Sequence, residues 1–371
     1  RNVVVFQTDQ LAATVYGGIA DDRRRHLHAE AFEMARDLVD TLPEYERHER
    51  VGRHRVGMGQ PTSGGQLLET AGAERESRFE LAGAIRVWSR GVDLLRAAVE
   101  RGDEASPATD ILATIYESLI PTLRVVGRHD DALERANQFD AMRGLEETSR
   151  TAATLELGRC YAGVGEFELA RKHLRRLWRE RGGSGDSGLE LEILVALADV
   201  YDGLGEVDNQ EKLLRKAVRR AARTSRRDLR RPEMTDLMWT PHNRLGTLIL
   251  QRQEPDDALG VLKAGYRIAE ELDDVPGLIR TASNLGAVRM AMGDRKSAEQ
   301  HFERALELSR QRGDFLNQAR ILNNLGVARM QAGERSRAGE YFDRAKALAQ
   351  SLAWDEGLES VEQRLARLES L

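Results

Sequence analysis

The chain has 371 residues, of which 32% are charged, 5% are aromatic and eight are proline, and its net charge is −5 at neutral pH. High charge with few aromatics suits long solvent-exposed helices and argues against an all-β fold, and scarce proline is what a mostly helical chain requires. The single cysteine, Cys160, excludes an intrachain disulfide and a multi-thiolate metal centre and fits a reducing, cytoplasmic setting, while no apolar run reaches the length of a membrane span.

Positions 1–40 differ from the rest of the chain. Val3–Phe6 has the β-branched bias of a strand, Leu11–Ile19 reads as a short amphipathic helix, and Asp21 caps a longer helix through about Leu38. "SGG" at 63–65 reads as a linker between helices. Phe79–Arg101, with Ala84, Trp88, Val92, Leu95 and Ala98, reads as the second helix of a hairpin. Gly127, Ala132 and Ala136 suggest another, degenerate hairpin. A regular period then sets in. Leu157-Gly158, Gly165, Ala170 and Leu174 are followed one period later by Leu197-Ala198, Gly205, Gln210 and Leu214, with "GGSG" at 182–185 as a linker. The next copy is displaced by more than one period. Gln253 stands where the glycine is expected, and the extra residues fall in the connection around Thr224–Trp239. Three copies then lie in strict register: Leu245-Gly246, Leu285-Gly286 and Leu325-Gly326, then Ala258, Ala298 and Ala338, then Leu262, Phe302 and Phe342, then Gly265, Ala305 and Ala345. A helix from Trp354 to Leu371, with Val361, Leu365 and Leu368 on one side, covers the last copy.

A fixed period of 40 marks an array of helical hairpins, about seven in all, that bury their apolar faces only by stacking. Within one copy Leu285, Val288 and Met292 form a helical stripe. Gly286 permits close approach of the paired helix, Gly293 supplies a left-handed C-cap, and Asp294 lies in the N-cap region of the second helix. Ala298 is small where the helices cross, and Phe302 fills the space between layers.

The stretches "SNLGAVRMAMGDRKSAEQHFERALEL" and "NNLGVARMQAGERSRAGEYFDRAKAL" resemble the tetratricopeptide repeat in its longer form, found in kinesin-light-chain-like and bacterial regulator proteins. The resemblance covers about three quarters of the chain. It implies an all-α, right-handed superhelical solenoid of stacked antiparallel hairpins. The N-terminal stretch is similar to the end of the winged-helix segment of signal-transducing multidomain ATPases and kinases, a short α/β-like remnant. Phe6, Leu11, Val15, Tyr16, Arg23, Arg24, Leu27 and His28 carry that likeness, with Thr8 where a histidine is usual. The expected organisation is a cap or winged-helix remnant over 1–40, degenerate repeats over 41–145, the array over 146–352 and a capping helix over 353–371. The second likeness implies an ATPase or kinase module upstream on the same polypeptide.

Little in the chain points to catalysis. No G-x-x-x-x-G-K-[ST] or H-E-x-x-H occurs. His26 and His28 are two apart, and His48 and His54 six apart, poor spacings for a metal pair on one helix. No enzyme activity and no cofactor are expected. Arg215, Lys216, Arg219, Arg220, Arg223, Arg226, Arg227, Arg230 and Arg231 crowd into one short stretch. They read as a solvated or intramolecularly paired run, as a patch for an acidic partner, or, least favoured, as a nucleic-acid contact, since no aromatic is interleaved before Trp239.

The tetratricopeptide resemblance implies that the first helix of each hairpin lines a concave groove. By that carry-over Asn243, Thr247, Arg280, Ser283, Met290, Arg320, Asn323 and Met330 face it, with Gln331 close by. Asn amides suit a peptide backbone and Arg forks suit carboxylates. Asn284 and Asn324 instead brace neighbouring helices, and Glu192, Asp199 and Asp202 give the N-terminal part of the groove the opposite sign. The expected function is recognition of a protein or peptide for a larger bacterial regulatory protein. The alternative is a regulatory subunit that holds a bound protease or kinase inactive. The oligomeric state is left open.

Overall fold

The computed structural model describes residues 18–39, 42–101, 105–224, 232–352 and 354–369. Among these, every regular element is α-helical, and there are 17 helices. The chain divides into two compact units, one holding residues up to Thr122 with Gln138–Arg150, the other Leu123–Asn137 with Thr151–Leu371. The strand expected at Val3–Phe6 and the winged-helix matches Phe6, Leu11, Val15 and Tyr16 lie outside the described residues.

In the first unit α1 (Asp21–Val39), α2 (Glu44–Gly57), α3 (Pro61–Ser77) and α4 (Leu81–Glu100) follow one another with short turns. "SGG" at 63–65 is no linker. It lies inside α3, and its glycines are a packing surface: a Cβ on Gly64 would stand 2.6 Å from the carbonyl oxygen of Gly52, so α2 and α3 touch backbone to backbone. Pro61 opens α3 at its first turn, where no amide donor is needed. Trp88 of α4 is fully buried over Gly72, and its Nε1 donates to the Glu69 carbonyl at 3.3 Å.

In the second unit five hairpins follow in order: α7 (Glu147–Gly163) with α8 (Phe167–Arg181), α9 (Ser187–Gly203) with α10 (Val207–Ala221), α11 (Pro232–Gln251) with α12 (Pro255–Glu271), α13 (Val275–Ala291) with α14 (Arg295–Arg312), and α15 (Phe315–Gln331) with α16 (Arg335–Ser351). α5 (Ala105–Val125) and α6 (His129–Asp140) precede them. The degenerate hairpin read from Gly127, Ala132 and Ala136 is this pair, with Gly127 at φ +83° and both alanines fully buried.

The repeated residues have repeated jobs. A Cβ at Gly286 would meet the Phe302 ring at 2.7 Å, and one at Gly326 would meet the Phe342 ring at 2.5 Å. Gly246 stands the same way to Leu262, and Gly158 to Leu174. The missing side chain on the first helix is therefore the socket for a large one on the second. Gly165, Gly205, Gly293 and Gly333 end first helices with φ between +70° and +82°. Asp294 and Asp314 cap α14 and α15 by accepting from the amides of Ser297 and Asn317 at 3.2 and 3.0 Å.

The irregular connection is shorter than the sequence suggests. α11 starts at Pro232 and runs 20 residues against 17 for α13, so part of the insertion extends the helix, and Trp239 is buried inside it. Last comes α17 (Asp355–Glu369), whose Val361, Leu365 and Leu368 pack on the cluster that holds Ala338, Phe342 and Ala345.

Candidate functional site

The first helices of the second unit carry a row of polar side chains. Asn243 and Thr247, one turn apart on α11, both face Asn284 of α13. Asn284 Nδ2 donates to Asn243 Oδ1 at 2.7 Å and lies 3.4 Å from Thr247 Oγ1. The Thr247 hydroxyl donates to the Asn243 carbonyl at 2.9 Å. One repeat on, Asn324 Nδ2 donates to Ser283 Oγ at 3.3 Å. Asn284 and Asn324 thus tie each first helix to the one before it. Asn323 has no such tie: its Oδ1 is buried without a hydrogen-bond partner among the described residues.

Arg280 and Arg244, on the two preceding first helices, bear electrostatically on Arg320. Arg280 is exposed and lies 5.9 Å from the Trp239 ring centroid, and Arg320 lies half-buried 4.9 Å from the Trp354 ring centroid. Burial pushes the Arg320 guanidinium below its usual range, and the charges of Arg280 and Arg244 push it the same way, while Glu356 and Asp314 oppose them. The repeat pattern does not point to Arg244. It stands one residue before Leu245, whereas Arg280 and Arg320 stand five before their leucines, so alignment of the copies does not find it. Arg244 Nη2 pairs with Asp199 at 3.2 Å.

Met290 and Met330 sit near the C-terminal ends of α13 and α15 and lean on the apolar cluster around Phe302 and Phe342. Gln331 is exposed, and its backbone carbonyl accepts from Arg295 at 3.4 Å.

The acidic stretch toward the N-terminal side of this unit is largely neutralised by its own arginines. Glu156 is buried and meets Arg159 Nη1 at 2.6 Å and Arg124 Nη2 at 3.1 Å, and Arg159 Nη2 also meets Glu192 at 2.9 Å. Burial alone would raise the Glu156 carboxyl, but the two guanidinium groups outweigh it and hold it below the usual carboxylate range. Burial holds Asp199 above that range, against the pull of Arg244. Cys160, in the same region, is buried and its thiol is pushed up to about 12 by burial, which disfavours the thiolate.

The basic run is divided. Arg215 pairs with Glu211 at 2.6 Å, Arg220 pairs with the buried Glu190 at 2.8 Å, and Lys216 lies 4.2 Å from the Trp178 ring centroid. Arg219 and Arg223 are exposed, and Arg226, Arg227, Arg230 and Arg231 lie outside the described residues.

Tetratricopeptide-repeat models match residues 191–224 and 236–311. The chain carries tetratricopeptide repeats over these residues. The second match spans the Asn243, Thr247, Arg280 and Ser283 row. No curated protein matches the chain in sequence. Solved structures of similar fold include the apo form of RapI, 15% identical over 81% of this chain and 99% of that one, with a TM-score of 0.52. A Rap protein complexed with competence and sporulation factor is 13% identical over 93% of this chain and 99% of that one, with a TM-score of 0.54. A signal-transduction ATPase with numerous domains and a tetratricopeptide-repeat sensor, from Pyrococcus horikoshii, is 11% identical over 93% of this chain and 50% of its own, with a TM-score of 0.51. At these identities the likeness is one of fold. No helix among the described residues is long and apolar enough to cross a membrane.

Proposed function

We propose that the first helices α11, α13 and α15 form a recognition surface for a protein or peptide, on behalf of a larger regulatory protein. The observation that carries this reading is that Arg280 and Arg320, equivalent in successive copies, lie against Trp239 and Trp354, with the charges of Arg280 and Arg244 bearing on Arg320. The charges of Arg280 and Arg320 on neighbouring first helices disfavour one another, and a bound carboxylate would relieve that repulsion. Both lie against tryptophan rings, which hold a guanidinium in place without consuming its hydrogen-bond donors. The Rap protein of similar fold was solved complexed with competence and sporulation factor, and the similar ATPase carries its repeats as a sensor, which supports a sensing role.

The test is a pull-down from the source cell's lysate with the intact chain and with Arg280→Ala/Arg320→Ala/Asn323→Ala, after circular dichroism has shown the variant to be helical. A partner held by the intact chain and lost by the variant supports recognition at this row. A partner held equally by both places the interface elsewhere and overturns the assignment. Retention by the intact chain that vanishes only in Arg219→Ala/Arg223→Ala assigns binding to the basic run instead.

A further inference from the structure

No motif or period pairs His28 with His54, which belong to different helices. The fold brings them together. His28 Nδ1 of α1 lies 3.2 Å from His54 Nδ1 of α2, with the rings edge to face and their centroids 5.4 Å apart. Gly57 makes room for the pair: a Cβ there would stand 2.3 Å from the His28 ring. Phe32, one turn further along α1, lies against His54 with 6.4 Å between centroids. The pair stands at the edge of an open cleft of about 380 Å³ lined also by Glu46, Glu49, Arg50 and Arg53 of α2 and by Arg75 of α3.

We propose that the His28–His54 contact is an acid-labile clasp, and that proton uptake by the pair releases α1 from α2. The argument is one of donor and acceptor counting. At neutral pH one imidazole donates its Nδ1–H to the bare Nδ1 of the other. One added proton can go to the outer nitrogen of the donor ring and leaves the contact intact. A second must go to the accepting Nδ1. Two N–H groups then face each other at 3.2 Å between two imidazolium cations. The surroundings favour expulsion rather than tolerance. On α1, Arg24 bears on His28, and Arg25 lies beside Gly59 in the turn after α2. On α2, Arg53 bears on both rings. Of the acidic groups in this region, Glu49 pairs with Arg75 at 3.4 Å, Asp21 pairs with Arg24, and Glu46 lines the cleft. Burial and these charges already hold both histidines below their usual range, which places the transition on the acid side of neutrality. Release uncovers the face of α2 that carries Arg53, His54 and Gly57.

The experiment is amide hydrogen exchange on the full chain between pH 7.5 and 4.5, corrected for the intrinsic exchange rate, with the imidazole resonances followed in parallel by NMR. The expected result is a rise of about tenfold or more in exchange across α1, well beyond any rise across α13–α16 over the same step. The rise should follow the lower of two coupled imidazole titrations. His28→Asn/His54→Asn keeps a short donor and acceptor at each site but cannot be charged, so its α1 protection should not respond to pH. Unchanged α1 protection in the parent chain overturns the proposal, as does an identical response in the asparagine variant. If that variant does not fold, the parent chain still decides: both histidines titrating independently at their ordinary value overturns the proposal, and a lower step coincident with α1 release supports it.

Discussion

Glycine does three different jobs in this chain, and the difference can be measured. Gly286 and Gly326 are sockets for Phe302 and Phe342, so Gly286→Ala would drive a methyl into a ring at 2.7 Å. The expected cost is about 1–3 kcal/mol of overpacking, which outweighs the gain of about 1 kcal/mol in helix propensity. Gly260, in α12, has nothing within 4 Å of its Cβ position. Gly260→Ala should therefore stabilise by about 0.5–1 kcal/mol, and opposite shifts of the two urea midpoints check the contrast. The third job is the left-handed turn. Gln253 occupies it at φ +62°, where the other repeats place glycine. Gln253→Gly should raise the urea midpoint by the equivalent of about 0.5–1 kcal/mol, because relief of the strained backbone exceeds the added freedom of the unfolded chain. A midpoint that stays put or falls would show that the turn is unstrained.

At the scale of elements, the legible features are those that recur. Leu285-Gly286, Ala298, Phe302 and Gly293 are readable because each belongs to a local hairpin whose geometry is copied one period away. The tie from Asn284 to Asn243 is readable for the same reason, since it joins neighbouring copies. The influence of Arg280 and Arg244 on Arg320 is only half legible, because Arg244 stands in another register. "SGG" at 63–65 misleads, because three turn-forming residues in a row also make a flat helix face, and only the partner α2 reveals which. The His28–His54 contact has no periodic signal at all, since it depends on how α1 crosses α2. The join of α5, α7 and α9 through Arg124, Glu156, Arg159 and Glu192 carries its own prediction. Glu156→Gln leaves two largely buried guanidinium groups without their shared counter-charge and should cost about 3 kcal/mol at neutral pH. The Glu156 carboxyl is depressed in the folded chain, so its contribution is present above the ordinary carboxylate range and fades as pH falls through the folded value. The gap between parent and variant in urea should accordingly narrow on acidification.

For the molecule as a whole, four histidines weaken the fold in mild acid, and Asp199 and Asp236, held above the carboxylate range by burial, act in the opposite sense at lower pH. Burial holds His28 and His54 in the first unit, and His242 and His301 in the second, below 6.5. A base depressed in the folded state binds fewer protons there than in the unfolded chain, so stability rises with pH through this window. The urea midpoint should be highest above pH 6.5 and fall as pH drops from 7.5 to 5.5, and His242→Gln, which removes one of the four groups, should flatten that fall. An unchanged midpoint over this range would show that these rings titrate as free imidazole does. The sockets also constrain how such a chain can be inherited. Gly158 and Leu174, Gly246 and Leu262, Gly286 and Phe302, and Gly326 and Phe342 all stand at one and the same separation, well inside a single period, so knob and hole are passed on together. A segment one period long can be copied or deleted without orphaning either half, which makes the hairpin, rather than the domain, the natural unit of gain and loss in the evolution of such a gene.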